Sequence, residues 1–475
     1  MILDEILNIL KFSNDVAYTV DNKSYTYKEL YKYVCNIYHL LLQINKNKRP
    51  VVVYGHKEVY MKASFLACSF AGMAYVPIDK SMPQERINRI IDQIKPDVSI
   101  GIEISTKQIY RIMNNENFQD IEQLYLKPND IYYIIFTSGS TGIPKGVKVT
   151  YENLNSCIHW LKDITEMEKG VILNQANYSF DLSVADLYLS LITGSEHFII
   201  NNEAQFDFNK IFEQLKKCKA TLMVATPAFI DLLLLDKSFE KNLLPNLKTI
   251  LFCGEKLLKS TVSKLYSRFD NINIINSYGP TECTFAVTSI KITKDFESIP
   301  VGIPKDDVKI YIVNDKLNKL QEGEVGEILI LGKSVTDGYL DIVNESFIEF
   351  ENEKAYLTGD LGYIKNGILY YKSRKDSQIK FKGYRVELSD IEKNIQELNY
   401  IEKSVVIPKL NKDEKVSNIL AFVILKENIT KTESEISKDL HVKIPEYMMP
   451  KIKIVKEIPI NTNGKCDRKK LLEVN

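Results

Sequence analysis

The chain has 475 residues, 45% hydrophobic and 26% charged, with 62 basic side chains matched by 62 acidic ones. That length exceeds one hydrophobic core and implies several subdomains, while the charge balance argues against a basic surface for nucleic acid. Seven scattered cysteines, never spaced C-x-x-C, argue against a disulfide framework or zinc knuckle, and five dispersed histidines give no local support to a histidine triad or metal site.

The chain starts M-I-L-D-E-I-L-N-I-L, with Asp4 and Glu5 where a signal peptide needs positive charge, and no later apolar stretch is long enough to span a bilayer. A cytoplasmic protein without an integral membrane segment is expected. From Tyr27 to about Ile200, helical periodicity alternates with short apolar runs such as Val51 to Tyr54, Tyr75 to Ile78 and Phe198 to Ile200, which predicts α/β layers. The run I-Y-Y-I-I-F (Ile131 to Phe136) reads as a buried strand, and T-S-G-S-T-G-I-P-K-G (Thr137 to Gly146) follows it directly. The hydroxyls of Thr137, Ser138, Ser140 and Thr141, the backbone freedom of Gly139 and Gly142, and the charge of Lys145 suit a loop that wraps phosphate oxygens. The bland alternative is a Ser/Gly-rich surface turn. The spacing is not G-x-x-x-x-G-K-[ST]: Gly146 follows Lys145, so a magnesium ion must be held elsewhere.

The segments Lys219 to Pro227 and Leu247 to Glu255 each read as a strand ending in turn chemistry, the end of an α/β sheet where ligands usually bind. After Pro300, closely spaced β runs (K-I-Y-I-V, G-E-I-L-I-L-G, I-L-Y-Y) suggest a small barrel or sheet. A polar, lysine-rich stretch from Ser373 to Gly383 interrupts them. Beyond it, a helix at Ser389 to Leu398 and strands at Ser404 to Pro408 and Asn418 to Leu425 would form an independent α+β unit. The domain boundary is placed at Asp376, giving domains 1–375 and 376–475.

Four further segments stand in order along the chain: N-S-Y-G-P-T-E (Asn276 to Glu282), Y-L-T-G-D (Tyr356 to Asp360), S-R-K-D-S-Q-I-K-F-K-G-Y-R-V-E (Ser373 to Glu387) and N-T-N-G-K-C-D-R-K-K-L (Asn461 to Leu471). With the phosphate loop they resemble the adenylate-forming superfamily of acyl-CoA synthetases, luciferases and peptide-synthetase adenylation domains. Within it, the chain is similar to the stand-alone D-alanine:D-alanyl carrier protein ligases through Y-S-F-D-L-S-V (Tyr178 to Val184), L-F-C-G-E (Leu251 to Glu255) and P-E-Y-M-M-P (Pro445 to Pro450).

The resemblance implies a large N-terminal domain of two layered α/β subdomains plus a small β-barrel, and a small mobile α+β C-terminal domain. It implies ATP and magnesium, with Glu282 as the metal ligand, Thr281 offering a hydroxyl to the α-phosphate, Tyr278 offering adenine a flat face, and Asn276, Ser277 and Gly279 among the nucleotide-binding residues. Asp360 would accept the ribose hydroxyls beside Arg374, and Lys465 would bridge the substrate carboxylate and ATP oxygens. The bland alternative for Lys465 is a solvated C-terminal tail with Arg468, Lys469 and Lys470. A carboxylate is already ionised at neutral pH and needs no general base to attack the α-phosphorus, so positioning and charge should carry the catalysis.

Asp181 bears on the substrate. A buried carboxylate in an apolar pocket is costly unless paired, and an α-ammonium group would satisfy it; the alternative is a helix N-cap ahead of Leu-Ser-Val. The remaining pocket positions, carried over by resemblance, are Leu182, Ala185, Ala225, Leu251, Cys253, Ser277, Phe285 and Ala286, which describe a small apolar amino acid. Cys253 matches a cysteine of the D-alanine ligases thought to favour the D enantiomer; otherwise it is a core cysteine. Ala185 and Phe285 depart from those ligases, which leaves room for another small amino acid. Ser373 stands where a G-R-x-D pattern has glycine, which puts local backbone freedom in question. The acceptor implied is a phosphopantetheine thiol on a separate carrier protein, with Asp376 as hinge and Gly383 in the loop serving thiol transfer. Rival readings are an acyl- or aryl-CoA ligase and a nucleotide-binding protein without catalysis.

Overall fold

The structure, a computed structural model, describes residues 1–139, 142–200, 207–412, 415–459 and 470–472. The chain divides into two compact units: residues 1–80, 94–136 and 146–375 form one, and residues 81–93, 137–145 and 376–475 the other.

The larger unit is built on three sheets. Nine strands form the first, in the order 303–304, 288–291, 273–278, 249–252, 222–225, 171–174, 196–199, 16–20, 23–26. Its central strands Val171–Asn174, Leu222–Ala225, Thr249–Phe252 and Asn273–Tyr278 run parallel and are almost wholly buried, as strands covered on both faces must be. A second sheet orders its strands Ser99–Ile100, Val51–Gly55, Tyr75–Asp79, Ile131–Thr137, Lys145–Thr150. The expected β-rich region after Pro300 is a third sheet of five strands, in which Gly326–Gly332 and Ile368–Arg374 both pair antiparallel with the long strand Glu353–Lys365.

Helix boundaries follow local chemistry. Thr26 with Glu29, and Thr150 with Asn153, make reciprocal capping boxes that open Tyr27–Ile44 and Tyr151–Thr165. The helix Leu182–Thr193 is buried from Leu182 to Ile192, matching its apolar composition on all sides, and Gly194 stops it in the left-handed region at φ 65°.

The smaller unit contains the helices Leu388–Gln396 and Glu433–His441 against the strands Ile401–Leu410, Val416–Leu425 and Lys451–Ile454. Its core of Val386, Leu388, Ile391, Ile395, Val406 and Val423, among others, is separate from those of the larger unit. The lysine-rich stretch that broke the apolar pattern folds as a hairpin, Gln378–Phe381 with Tyr384–Glu387. Its two-residue turn places Lys382 and Gly383 at φ 53° and 86°, the signs a tight hairpin turn demands. Among the described residues no helix is long and apolar enough to cross a membrane.

Candidate active site

The parallel strand Asn273–Tyr278 carries N-S-Y to one end of the large sheet. Asn276 donates through Nδ2 to the Pro300 carbonyl at 2.7 Å, while its Oδ1 is buried and makes no hydrogen bond. The Ser277 hydroxyl is used within the fold, donating to the Phe252 carbonyl at 2.7 Å. Tyr278 donates its phenol proton to Asp360 Oδ2 at 2.7 Å, and burial, followed by the Asp360 carboxylate, pushes that phenol well above its ordinary range. The register of the third sheet sets Asp360 opposite Arg374. Arg374 Nη1 donates to Asp360 Oδ1 at 2.9 Å and to the Thr358 carbonyl at 3.0 Å, and Asp360 is only 2% exposed. Two separate sequence motifs thus meet on one carboxylate. Ser373 lies in the strand Ile368–Arg374, paired with Leu361 next to a register shift and outside the left-handed region, so glycine's freedom is not required there.

Gly279 turns the chain beyond Tyr278. A Cβ at this position would lie 2.6 Å from Ala286 Cα and 2.8 Å from the Phe285 carbonyl oxygen, so close backbone approach requires glycine. Thr281–Cys283 forms a single 3₁₀ turn that buries Glu282 to 1% exposure, with Oε1 accepting the Tyr339 phenol proton at 2.6 Å. Thr284 and Phe285 follow at φ 58° and 72°, a conformation that costs a non-glycine residue about 1–3 kcal/mol. Both carbonyls are met by thiols, Cys157 Sγ to Thr284 at 3.3 Å and Cys253 Sγ to Phe285 at 3.8 Å, while Thr284 Oγ1 donates to the Ser334 carbonyl at 2.9 Å. Burial pushes the Cys157 thiol up to about 12, so it stays protonated and able to donate.

Asp181 occupies the cap position of the helix Leu182–Thr193, but its backbone is already helical (φ −63°, ψ −21°) and its side chain makes no cap hydrogen bond. The position therefore agrees with the cap alternative and the side chain does not. Leu182, Ala185, Leu251, Cys253, Phe285 and Ala286 belong to one buried cluster; Ala225 packs in a different one.

Thr137 ends the strand Ile131–Thr137 and Lys145 begins Lys145–Thr150, and the described residues from Thr137 to Lys145, read from sequence as a phosphate loop, fall in the smaller unit. The Ser138 hydroxyl donates to the Arg385 carbonyl at 3.0 Å and accepts from the Glu387 amide at 3.2 Å. Gly142 sits at φ 76°, and its carbonyl accepts from Arg89 Nη1 at 3.1 Å. At Gly139 a Cβ would lie 2.1 Å from the Ile143 carbonyl oxygen. Asp376 Oδ1 accepts from the Gln378 amide at 3.0 Å, opening the hairpin that carries Gly383. Ser140, Thr141 and Lys465 lie outside the described residues.

Tyr339, Cys157 and Thr284 were not singled out by sequence, nor was the left-handed backbone of Phe285. V-T-D-G-Y offers a turn signal but nothing that ties Tyr339 to Glu282. Among the described residues no group of three or more His, Cys, Asp or Glu side chains could hold a metal ion. A lone hard carboxylate such as Glu282 suits magnesium, which typically uses one or two carboxylates plus phosphate oxygens and water.

The model of the AMP-binding enzyme family matches residues 8–340, and that of the AMP-binding enzyme C-terminal domain matches residues 390–465. The chain belongs to the AMP-binding enzymes. Among its curated relatives in this family, the D-alanine–D-alanyl carrier protein ligase of Bacillus cereus (strain G9842) is 38% identical over 485 residues, covering 97% of this chain and 96% of the relative. A protein of the same name from Bacillus anthracis is 37% identical over 484 residues, with the same coverage. Of solved AMP-binding folds, the Vibrio cholerae adenylation domain AlmE, crystallised with glycyl-adenosine-5'-phosphate, superposes with a TM-score of 0.87 at 24% identity, covering 100% of this chain and 97% of that one. The expected superfamily and two-part α/β architecture are therefore correct.

Proposed function

We propose that this AMP-binding enzyme activates a small amino acid, D-alanine, with ATP and then loads it onto a separate carrier protein. Asp181 carries the reading: a half-buried carboxylate at the head of an apolar helix, next in sequence to Leu182, which shares one large buried core with Ala185, Leu251, Cys253, Phe285 and Ala286. An α-ammonium group is the natural partner of such a carboxylate. Similarity across nearly the whole length to D-alanine–D-alanyl carrier protein ligases supports the choice of amino acid.

In this reading the substrate carboxylate oxygen attacks the α-phosphorus of ATP, and the bond to the β-phosphate oxygen breaks with that oxygen keeping the electron pair. Aminoacyl-AMP and pyrophosphate result. Asp360 receives the ribose hydroxyls, already oriented by Arg374 and Tyr278. The Tyr278 ring offers adenine a flat face, and the unpartnered Asn276 Oδ1 can accept from its amino group. Thr281 binds the α-phosphate, while Thr137, Ser138, Gly139, Ser140, Thr141, Gly142 and Lys145 hold the departing phosphates. Lys465 places a point charge on the reacting oxygens. Magnesium, bound through Glu282, would neutralise charge on the phosphates.

The thiol of a phosphopantetheine arm then attacks the acyl carbon; AMP leaves, and the thiol proton passes to solvent. We assign residues 1–375 to the adenylation core and 376–475 to a domain that turns about Asp376, with the Gly383 loop serving the second step. The protein is cytoplasmic in this account. ATP–pyrophosphate exchange with D-alanine, L-alanine, glycine, serine and β-alanine, and with carboxylic acids lacking an amino group, tests the proposal: D-alanine should support exchange best, and exchange driven only by the acids lacking an amino group would overturn it.

A further inference from the structure

Lys57 is fully buried in the larger unit and sits in the left-handed region at φ 56°, a conformation that a lysine keeps only where its surroundings impose it. Both ends of this residue hold the segment that leads to Asp181. Its Nζ donates to the Gln175 carbonyl at 2.7 Å and to the Ile200 carbonyl at 3.0 Å, tying together the segments that follow two adjacent parallel strands. Its own carbonyl accepts the Tyr18 phenol proton, and the Tyr18 and Tyr178 hydroxyls are 3.1 Å apart.

The same segment is tied from inside the helix that Asp181 heads. Asn174 Nδ2 bonds both oxygens of Asp186, at 3.0 and 3.1 Å, and the Ala176 carbonyl at 3.1 Å. His197 Nε2 donates to Asp186 Oδ1 at 3.0 Å, while its buried Nδ1 makes no hydrogen bond, so this ring is the neutral Nε2–H tautomer. A charge-bearing side chain in such a core is costly to desolvate, and a packed apolar residue would serve stability as well.

We propose that Lys57 is a positioning residue for amino-acid recognition, fixing residues 174–181 so that Asp181 is held where an α-ammonium group can meet it. The inference rests on the reading of Asp181 as the ammonium partner. Lys57→Met keeps an unbranched chain one heavy atom shorter and the same left-handed backbone cost but removes the ammonium and both of its hydrogen bonds.

The test is ATP–pyrophosphate exchange on the full chain with D-alanine. KM for the amino acid should rise about tenfold, the worth of one buried hydrogen bond, with kcat and the KM for ATP changing far less. Tyr178→Phe, which removes only the second anchor, should shift the same constant by a smaller factor and serves if Lys57→Met does not fold. An equal rise in both KM values, a fall in kcat alone, or unchanged kinetics in a folded variant would overturn the proposal. Asp181→Asn is run alongside. If it leaves KM for the amino acid unchanged, the reading of Asp181 fails and the inference with it; if it raises KM while both anchor variants do not, the positioning role alone fails.

Discussion

Replacing Asp360 with asparagine leaves the side chain's shape and removes its charge. The wild-type carboxylate accepts two donors at once, the Tyr278 phenol at 2.7 Å and Arg374 Nη1 at 2.9 Å, and is 2% exposed. An amide has one acceptor oxygen, so one of these donors must face an NH2 group. With Arg374 left against an uncharged partner at a site shielded from water, loss of the pair should cost about 3–5 kcal/mol. Arg374→Met strands the opposite charge and should cost about as much, whereas the double variant leaves neither charge stranded and should cost at least about 2 kcal/mol less than the two singles summed. Urea unfolding followed through Trp160, the chain's one tryptophan, in the helix Tyr151–Thr165 of the same unit, measures all four proteins. The exchange assay should show the KM for ATP rising with Asp360→Asn while the KM for the amino acid holds. Additivity within about 0.5 kcal/mol would refute the claim that the two motifs form one buried pair.

Gly279→Ala forces a methyl onto the backbone of Phe285 and Ala286, so the urea midpoint should fall by an amount equivalent to about 1–3 kcal/mol; an unchanged midpoint would mean the loop gives way freely. Lys465→Ala should lower the exchange rate at least about 100-fold, as loss of one preorganised donor does, while thiol transfer from supplied aminoacyl-AMP survives; equal loss of both steps would contradict the two-state assignment. Stability should also depend on pH through the buried lysines. Burial pushes Lys57 and Lys62 down to about 7 in the folded chain. Between pH 7 and the ordinary lysine range the unfolded chain holds more protons at these sites, so their contribution to stability rises with pH, by at most about 1.4 kcal/mol per pH unit for each. Lys62→Met should make the rise in urea midpoint from about pH 7 to 8.5 shallower; an unaltered slope would show that Lys62 stays charged.

Local turns and strands were legible in the sequence, because they are written locally in Gly, Ser, Thr and Asp and in runs of apolar residues. What joins them was not. No spacing rule tells that Asp360 accepts from Tyr278, 82 residues away, or that Tyr339 meets Glu282, because both pairs are set by sheet register and packing. The hairpin Gln378–Phe381 with Tyr384–Glu387 hid behind its lysines, though Lys382-Gly383 carried the turn signal. Helix and strand limits moved by a few residues: the helix expected at Ser389 to Leu398 spans Leu388–Gln396, and the strand expected at Ser404 to Pro408 extends to Ile401–Leu410 because its partner Val416–Leu425 supplies pairing along its length. Lys57 gave no sequence signal, since a single lysine after a strand usually marks a solvated turn.

The most direct test of the account is the exchange panel run on the wild-type chain and on Asp181→Asn. D-alanine should support pyrophosphate exchange above L-alanine, glycine, serine and β-alanine, and the variant should lose it through a raised KM for the amino acid. Exchange with none of the five, or exchange indifferent to the loss of the Asp181 charge, would contradict it.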